Sequence, residues 1–500
     1  MPAALRTSLL GRTPLLLMAL TAACERAESR TETAGATVPA AAGTVPVTTA
    51  SDEARRIYLQ GRTLTENLRA HDGRKLYEKA VATDPGFAMA HYQLAVNSGI
   101  AKDFFDHLKH AVELSGKTSE GERLMILALE AGGNAQPARA REPLAELVAK
   151  YPDDERAHFL LGGAHFGQLE YDKAAEQYQT ATRLNPQYAP AYNLLGYTYR
   201  QLDRFDEAET AFKKYIELIP EDPNPYDSYA ELLMRTGRFE ESMVQYRRAL
   251  DLDSNFTPSR VGIANDLMLQ GKHKEALATL DDLYRRARDD GERRQALFVK
   301  GVVLVDAGKH AAAVQEIEKE FAIARKAGDS ANMSGDVQLI GDIQLAAGRT
   351  EEAAKRYGQA LALVEQSSLP DEVKTDTRLA DRYNRARIAL AKGDVETART
   401  EAKAYLEGAE SRKNSFRIWQ AHELAGSIAL KEKKYDDAIA HLGQANQQNP
   451  QVVYWTALAH KGKGDGAKAK ELAAKAAEAN VLPQAAYAFV RVDAGRLSRS

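Results

Sequence analysis

The chain of 500 residues contains a single cysteine, Cys24, so no disulfide can form within one molecule. No apolar run reaches the roughly 18 residues that a membrane-spanning helix needs. Basic charge is not in excess, because 67 lysines and arginines stand against 70 aspartates and glutamates, which argues against nucleic acid as the main partner. The sequence also lacks a convincing alternation of apolar and polar residues, the pattern of a half-buried strand. These absences leave an α-helical protein that is stabilised by packing alone.

Motifs for metal or cofactor binding are weak or missing. The 11 histidines are scattered, and His422, although followed by Glu423, has no second histidine four residues on, so the two-histidine zinc motif is absent. We expect no metal, no cofactor and no small-molecule substrate. The stretch at 111–118 satisfies a relaxed phosphate-loop pattern, but the residues before it read as helix, whereas a phosphate loop follows a strand. A nucleotide-binding enzyme that uses the GKT at 116–118 is the least favoured hypothesis.

The N-terminus has the composition of an export signal. Residues 1–23 combine a short start that carries two arginines with an apolar stretch, and small residues precede Cys24. This arrangement resembles the signal of bacterial lipoproteins, in which the peptide is removed and the cysteine thiol is acylated; the departure is Thr21, where leucine is usual. The resemblance implies an exported protein, lipid-anchored to the bacterial envelope through Cys24 and facing the periplasm or the cell exterior. An ordinary signal or anchor with a chance cysteine is the alternative.

A flexible tether is predicted between this signal and the folded part of the chain. Residues 24–52 are rich in alanine, threonine and proline and show no helical spacing of large apolar residues. Such a composition cannot bury enough surface to fold. Helical signals begin near Ser51 and continue to the end of the chain.

A fixed period of 34 residues is the strongest signal in the sequence. Small residues recur at this spacing in the first helix of each repeat, at Gly162, Gly196, Ala230 and Ala264. A second set recurs in another phase, at Ala174, Ala208, Ser242 and Ala276. A repeat of this length is typical of a helical array, in which each unit is one helix pair that buries its apolar face against its neighbours.

The spacing of small, aromatic and proline residues resembles that of the tetratricopeptide repeat family over about residues 54–483. Glycine at Gly162 and Gly196 lets two helices approach closely, an aromatic such as Tyr178 or Phe212 fills the gap to the next repeat, and Pro186 stops the second helix. The resemblance implies an all-α, right-handed superhelical solenoid of antiparallel helix pairs. We expect an array at 53–290 with regular repeats at 155–290, longer helix pairs at 291–483, and a C-terminal cap or tail at 484–500. Turn residues persist in the longer part, at Gly308, Gly348, Gly393, Lys433 and Gly464.

In this family the first helix of each pair lines the concave surface, which predicts a partner-binding groove. Mapping the family's inward positions onto the regular repeats gives ten residues: Phe159, Phe166, Asn193, Tyr197, Arg200, Asp227, Glu231, Met234, Asn265 and Met268. Aromatic and methionine side chains provide contact area, and arginine and asparagine can hydrogen-bond a partner backbone, so the set suits an extended peptide or a partner helix. The alternative is that these side chains pack against neighbouring repeats or line solvent.

Together these features predict a scaffold that is not an enzyme. It would be anchored in the bacterial cell envelope and bind protein or peptide partners in the groove of the superhelix. The alternative is an accessory subunit of an envelope assembly or export machine, with binding through the outer face or the ends of the array. Both hypotheses need repeats that stack without a reaction centre.

Overall fold

The computed structural model describes residues 43–66, 69–98, 101–134 and 136–500. These residues divide into two compact units. The first unit comprises the described residues of 43–232 together with Arg247–Phe256, and the second comprises Leu233–Tyr246 and Thr257–Ser500. No described residue lies in a strand. The predicted signal at 1–23, Cys24 and the tether up to residue 42 lie outside the described residues.

The helices up to the unit boundary come in consecutive pairs. They are α1 (Asp52–Glu66), α2 (Ala70–Thr83), α3 (Ala88–Val96), α4 (Ala101–Leu114), α5 (Glu120–Gly133), α6 (Pro137–Lys150), α7 (Glu155–Gly167), α8 (Tyr171–Leu184), α9 (Ala189–Gln201), α10 (Phe205–Leu218), α11 (Pro223–Arg235) and α12 (Phe239–Leu252). The last two contribute residues to both units.

The remaining helices belong to the second unit, and several of them are longer. They are α13 (Thr257–Leu269), α14 (His273–Arg286), α15 (Asp290–Asp306), α16 (His310–Lys326), α17 (Ser330–Ala346), α18 (Thr350–Glu365), α19 (Asp371–Lys392), α20 (Val395–Ser411), α21 (Ser415–Lys431), α22 (Tyr435–Gln444), α23 (Pro450–Lys463), α24 (Gly466–Ala477) and α25 (Ala485–Arg499). Within each unit, consecutive helices pack against each other, so the all-α array of tetratricopeptide type predicted from the sequence is confirmed.

The predicted first helices begin one period apart. The structure starts α7, α9, α11 and α13 at Glu155, Ala189, Pro223 and Thr257. Local chemistry sets several helix starts: Asp154 accepts hydrogen bonds from the first backbone amides of α7, and Ser119 with Glu122 forms a capping box at α5.

The GKT stretch does not form a phosphate loop. Helix α4 ends at Leu114, and Ser115–Lys117 makes one short 3-10 turn before Ser119 caps the next helix. No strand precedes the stretch in the described part of the chain. The geometry is therefore that of a helix–turn–helix connection, as the sequence predicts.

Glycine packing in the first unit leads to a testable difference between two adjacent residues. A methyl group at Gly162 would lie 2.7 Å from the ring of Tyr178, which is fully buried, whereas a methyl group at Gly163 would meet only the Tyr178 hydroxyl at 3.7 Å. We expect Gly162→Ala to lower the free energy of unfolding by about 1–3 kcal/mol through overpacking. Gly163→Ala is the matched control and should raise it by up to about 1 kcal/mol, because alanine is the better helix former. Thermal unfolding followed by circular dichroism checks both; equal midpoints would contradict the close approach.

Among the described residues, no helix combines the length and the apolarity that crossing a membrane requires.

Candidate functional site

The ten predicted groove residues lie on α7, α9, α11 and α13, and nine of them are buried. Phe159 is half-buried and packs its ring against Tyr178 and Tyr188. The nine buried residues are Phe166, Asn193, Tyr197, Arg200, Asp227, Glu231, Met234, Asn265 and Met268. In this structure these side chains pack inside the array instead of lining an open surface, which is the alternative left open by the sequence. Partner binding at these positions stays a prediction.

A polar cluster joins α9 to α11 in the first unit. The Tyr197 hydroxyl donates to Ser228 Oγ at 3.0 Å, and the guanidinium of Arg200 lies over the Tyr197 ring and donates to Glu231 Oε2 at 3.3 Å. Burial raises the pKa of Tyr197 well above its ordinary value. Tyr197 and Arg200 on α9 thus hydrogen-bond Ser228 and Glu231 on α11. These bonds link two neighbouring helix pairs inside the array.

In the second unit, the chain's own C-terminal segment covers Asn265 and Met268. Asn265 donates its side-chain amide to the carbonyl oxygen of Val481 at 3.2 Å and to the sulfur of Met234 at 3.0 Å. Met268 belongs to the same buried apolar cluster as Ala485 and Ala488 of α25. The repeat face predicted to hold a partner is thus filled by residues that follow α24.

Charged contacts fasten this C-terminal segment at both ends. Arg491 of α25 forms a two-pronged ion pair with the buried carboxylate of Asp306, its Nε lying 2.6 Å from Oδ1. His273 contacts the same carboxylate at 2.7 Å. At the other end, the guanidinium of Arg235 donates to the carbonyl oxygen of Ala479. The sequence predicts a cap at 484–500, but nothing in its local pattern indicates that the cap reaches back to α13 and α15.

A second segment, the end of the predicted tether, lies extended along the first unit. The amide of Val45 donates to Asp154 Oδ2 at 2.8 Å, and the amide of Thr48 donates to Glu122 Oε1 at 2.9 Å. The Val45 side chain packs against Gly121 so closely that a methyl group there would lie 2.8 Å away. Residues 43–50 are therefore bound to the repeats, which corrects the predicted tether over this stretch, because buried carboxylates supply partners for its amides.

These two segments show how the repeats bind main-chain groups of other parts of the chain. Side-chain carboxylates accept from main-chain amides in the first unit, and a side-chain amide donates to a main-chain carbonyl in the second. In the first segment, the Val45 side chain also packs against Gly121 of α5. The same set of contacts, main-chain hydrogen bonds with one pocketed side chain, recurs in the recognition of extended peptides.

Three histidines meet between α3 and α4 in the first unit. Nδ1 of His91 lies 3.2 Å from Nδ1 of His107, whose Nε2 faces Asp103 at 3.5 Å, and the ring of His110 is also adjacent. Burial, with the neighbouring His107 and His110, lowers the pKa of His91 to about 4. Within the described ranges, no group of three histidine, cysteine, aspartate or glutamate side chains is arranged to hold a metal ion.

This histidine predicts acid sensitivity of the first unit. Because its pKa is lower in the folded chain than the ordinary 6.5, folding favours the neutral ring. The stability it provides is complete above about pH 6.5 and is lost as the pH falls towards 4, by at most about 3 kcal/mol. His91→Asn should flatten the fall of the melting temperature between pH 6.5 and 4, while the exposed His71→Asn should not. Parallel profiles for the original chain and His91→Asn would contradict this assignment.

Comparison with known families agrees with this architecture. Two models of the tetratricopeptide repeat match the chain, one at residues 127–170, 164–223, 261–330 and 383–453 and the other at 224–256, which together exceed half of the sequence. A search of curated proteins finds no significant match.

The solved structures that this chain resembles in part include three of low sequence identity. A tetratricopeptide repeat protein from Parabacteroides merdae is 17% identical with a TM-score of 0.36, and the alignment covers 52% of this chain and 99% of that one. The APC/C hetero-tetramer Cut9–Hcn1 is 14% identical with a TM-score of 0.40, over 85% and 76% of the two chains. A thermophilic tetratricopeptide protein of Thermus thermophilus is 23% identical with a TM-score of 0.29, over 43% and 98%.

Proposed function

Because the chain belongs to the tetratricopeptide repeat family, we propose that it is a non-enzymatic scaffold that binds extended peptide segments of partner proteins in a bacterial cell envelope. The observation that carries the proposal is that residues 43–50 are bound to the first unit through their main-chain amides. Main-chain contacts are largely independent of sequence, so a surface that makes them accepts other extended chains whose side chains fit.

Two buried carboxylates define this peptide-binding surface. Asp154 and Glu122 are each 2% exposed or less, and both also cap helices through their second oxygen. Each therefore keeps one oxygen oriented by the helix start and offers the other to an amide of the bound segment. A pre-oriented acceptor lowers the ordering cost of binding.

The experiment separates the bound segment from the repeats. In a chain that lacks residues 43–50, a synthetic peptide with the sequence of residues 43–50 should bind in trans. The intact chain should bind it at least about tenfold more weakly, because its own segment is present at high effective concentration. A peptide with proline in place of Thr48 is the matched control, since it lacks the amide that reaches Glu122. Equal binding of both peptides, or none to a shortened chain that keeps its helical circular dichroism, would overturn the proposal.

The envelope part of the proposal is supported by the sequence around Cys24 and is tested separately. Cys24→Ser should move the protein from the membrane fraction to the soluble or uncleaved fraction, and mass spectrometry should show the loss of a diacylglycerol group. Cys24→Ala is the second variant, because neither side chain provides a thiol for acylation. If the original chain carries no lipid, the anchor is wrong while the peptide-binding surface is unaffected.

A further inference from the structure

The second unit contains a recess that the groove predicted from the sequence does not include. Residues of α17, α19, α21 and α25 and of the turn between α22 and α23 line a cavity of about 60 Å³. Ligand pockets for whole small molecules measure about 300–1,000 Å³, so this recess has room for a few waters or for one small polar group. Its walls carry four aromatic side chains, from Tyr383, Phe416, Trp419 and Phe489.

The charges around the recess are neutralised within the chain. Arg387 pairs with Asp342 at 2.6 Å. Arg417 forms a buried two-pronged pair with Asp376, one contact of which measures 3.0 Å. A charged ligand would have to break one of these pairs or enter without a counter-charge, and burying an unpaired charge is costly. The recess therefore favours a neutral ligand.

The remaining acidic side chain of the recess, Glu423, is also satisfied. It accepts from the hydroxyl of Tyr383 at 3.1 Å and from the side-chain amide of Asn449 at 3.4 Å. Burial raises the pKa of Glu423 above its ordinary value. No lining carboxylate is left to recruit a cation.

The recess is rich in hydrogen-bond donors. The carboxamide oxygen of Gln420 accepts from the Tyr405 hydroxyl at 2.8 Å, and that of Asn446 accepts from the amide of Gln448 at 3.0 Å. These bonds orient the two side chains so that their NH₂ groups remain available, and neither these groups nor the indole N–H of Trp419 donates to another described residue. These donors can bond the acceptor oxygens of a ligand.

We propose that this recess binds the carboxamide of an asparagine or glutamine side chain in a partner peptide. A side-chain end fits a recess of this size, whereas a backbone amide would need the chain to enter and leave. The planar amide and its short aliphatic stem pack against the aromatic walls, its oxygen accepts from the donors of Gln420 and Asn446, and its NH₂ group donates to the carboxamide oxygens of Gln338 and Gln451, which also line the recess. That the ligand belongs to a peptide rests on the proposed function. That the ligand is neutral and carries an acceptor oxygen rests on the recess alone.

Fluorescence of Trp419 provides the assay. The chain has only two tryptophans, so in the full chain carrying Trp455→Phe the signal comes from Trp419 alone. The probes are tripeptides Ac-Ala-Xaa-Ala-NH₂ with Gln, Asn, Glu, Asp or Leu at the central position, and N-acetylglucosamine. We expect the Gln and Asn peptides to change the Trp419 fluorescence in a saturable way. The other probes should bind at least about fivefold more weakly, which corresponds to the loss of about one hydrogen bond.

An isosteric variant tests the side-chain NH₂ group of Asn446 as a donor to the ligand. Asn446→Asp keeps the oxygen that accepts from Gln448 but replaces the donor, and it should weaken binding of the Gln and Asn peptides about tenfold or more. The matched control is Gln444→Glu on the exposed face of α22, which should leave binding unchanged. Calorimetric titration of the unaltered chain provides the same comparison if Trp455→Phe disturbs folding.

The other outcomes overturn the assignment. Equal or tighter binding of the Glu or Asp peptide would contradict the neutral ligand, and binding of N-acetylglucosamine alone would indicate a saccharide site. No binding of any probe to the folded chain would also reject it. The test of residues 43–50 uses the first unit, so the failure of one experiment leaves the other standing.

Discussion

Replacing Asp376 with alanine is expected to destabilise the second unit by about 3–5 kcal/mol. Asp376 on α19 is fully buried and accepts both prongs of the Arg417 guanidinium on α21, which is itself buried. Arg417 also donates to the Tyr405 hydroxyl. Removing the carboxylate leaves a buried cation that no longer has its paired anion, and the cost of that charge, more than the lost attraction, determines the effect.

Urea unfolding followed by tryptophan fluorescence measures the stability of the second unit, because both tryptophans lie there. Glu365→Ala is the matched control: it removes an equally close, two-pronged arginine pair with Arg378, but on the exposed surface. Its midpoint should stay almost unchanged. A double variant with leucine at 376 and 417 should recover much of the loss, since it removes both charges. Equal midpoints for the two single variants would contradict the buried pair.

Asp266→Asn should stabilise the second unit increasingly as the pH rises. Asp266 on α13 is fully buried, and burial, with the charge of Glu240 adding to it, raises the pKa of its carboxyl to about 8 although a hydrogen bond from Ser242 opposes the shift. The folded chain therefore binds this proton more tightly than the unfolded chain does. The stability it provides is complete below about pH 4 and is lost as the pH rises towards 8, by roughly 5 to 6 kcal/mol in total.

Asparagine keeps the shape of the side chain and cannot ionise, so the variant should lose this dependence. The advantage of Asp266→Asn over the original chain, near zero at pH 4, should grow to a few kcal/mol at pH 8 in urea unfolding followed by tryptophan fluorescence. The exposed Asp493→Asn serves as the control and should follow the original profile. Parallel curves for Asp266→Asn and the original chain would show that the carboxyl is ionised in the folded state.

Most of the fold could be predicted from local signals. The small residues of the 34-residue period mark where helices touch, and Gly162 and Gly196 lie against the rings predicted to fill the gaps, Tyr178 and Phe212. The predicted turn residues of the longer pairs all have positive φ: Gly308, Gly348, Gly393, Lys433 and Gly464. These features follow from contacts within one helix pair. Because the residues that make them recur in each repeat, the contacts recur as well.

The candidate sites were less predictable. The family's inward positions led to ten residues, but the contacts that cover Asn265 come from Val481, 216 residues away. The sequence does not indicate the carboxylates that bind residues 43–50, because Asp154 and Glu122 stand at helix starts, where a carboxylate is an ordinary cap. Such a capping carboxylate has a second oxygen that can accept from another segment of the chain. The sequence does not show which segment reaches it.

By itself, the sequence determined that this protein is an array of helix pairs, since repeat spacing and turn conformation depend on interactions between residues close along the chain. Only the tertiary structure decided what occupies the faces of that array. Three features bring together residues whose separation along the chain follows no period. They are the buried pair of Asp376 and Arg417, the contact of α25 with Asp306, and the amides around Trp419. Such contacts form wherever packing brings partners together, and they determine which surfaces stay open to another molecule.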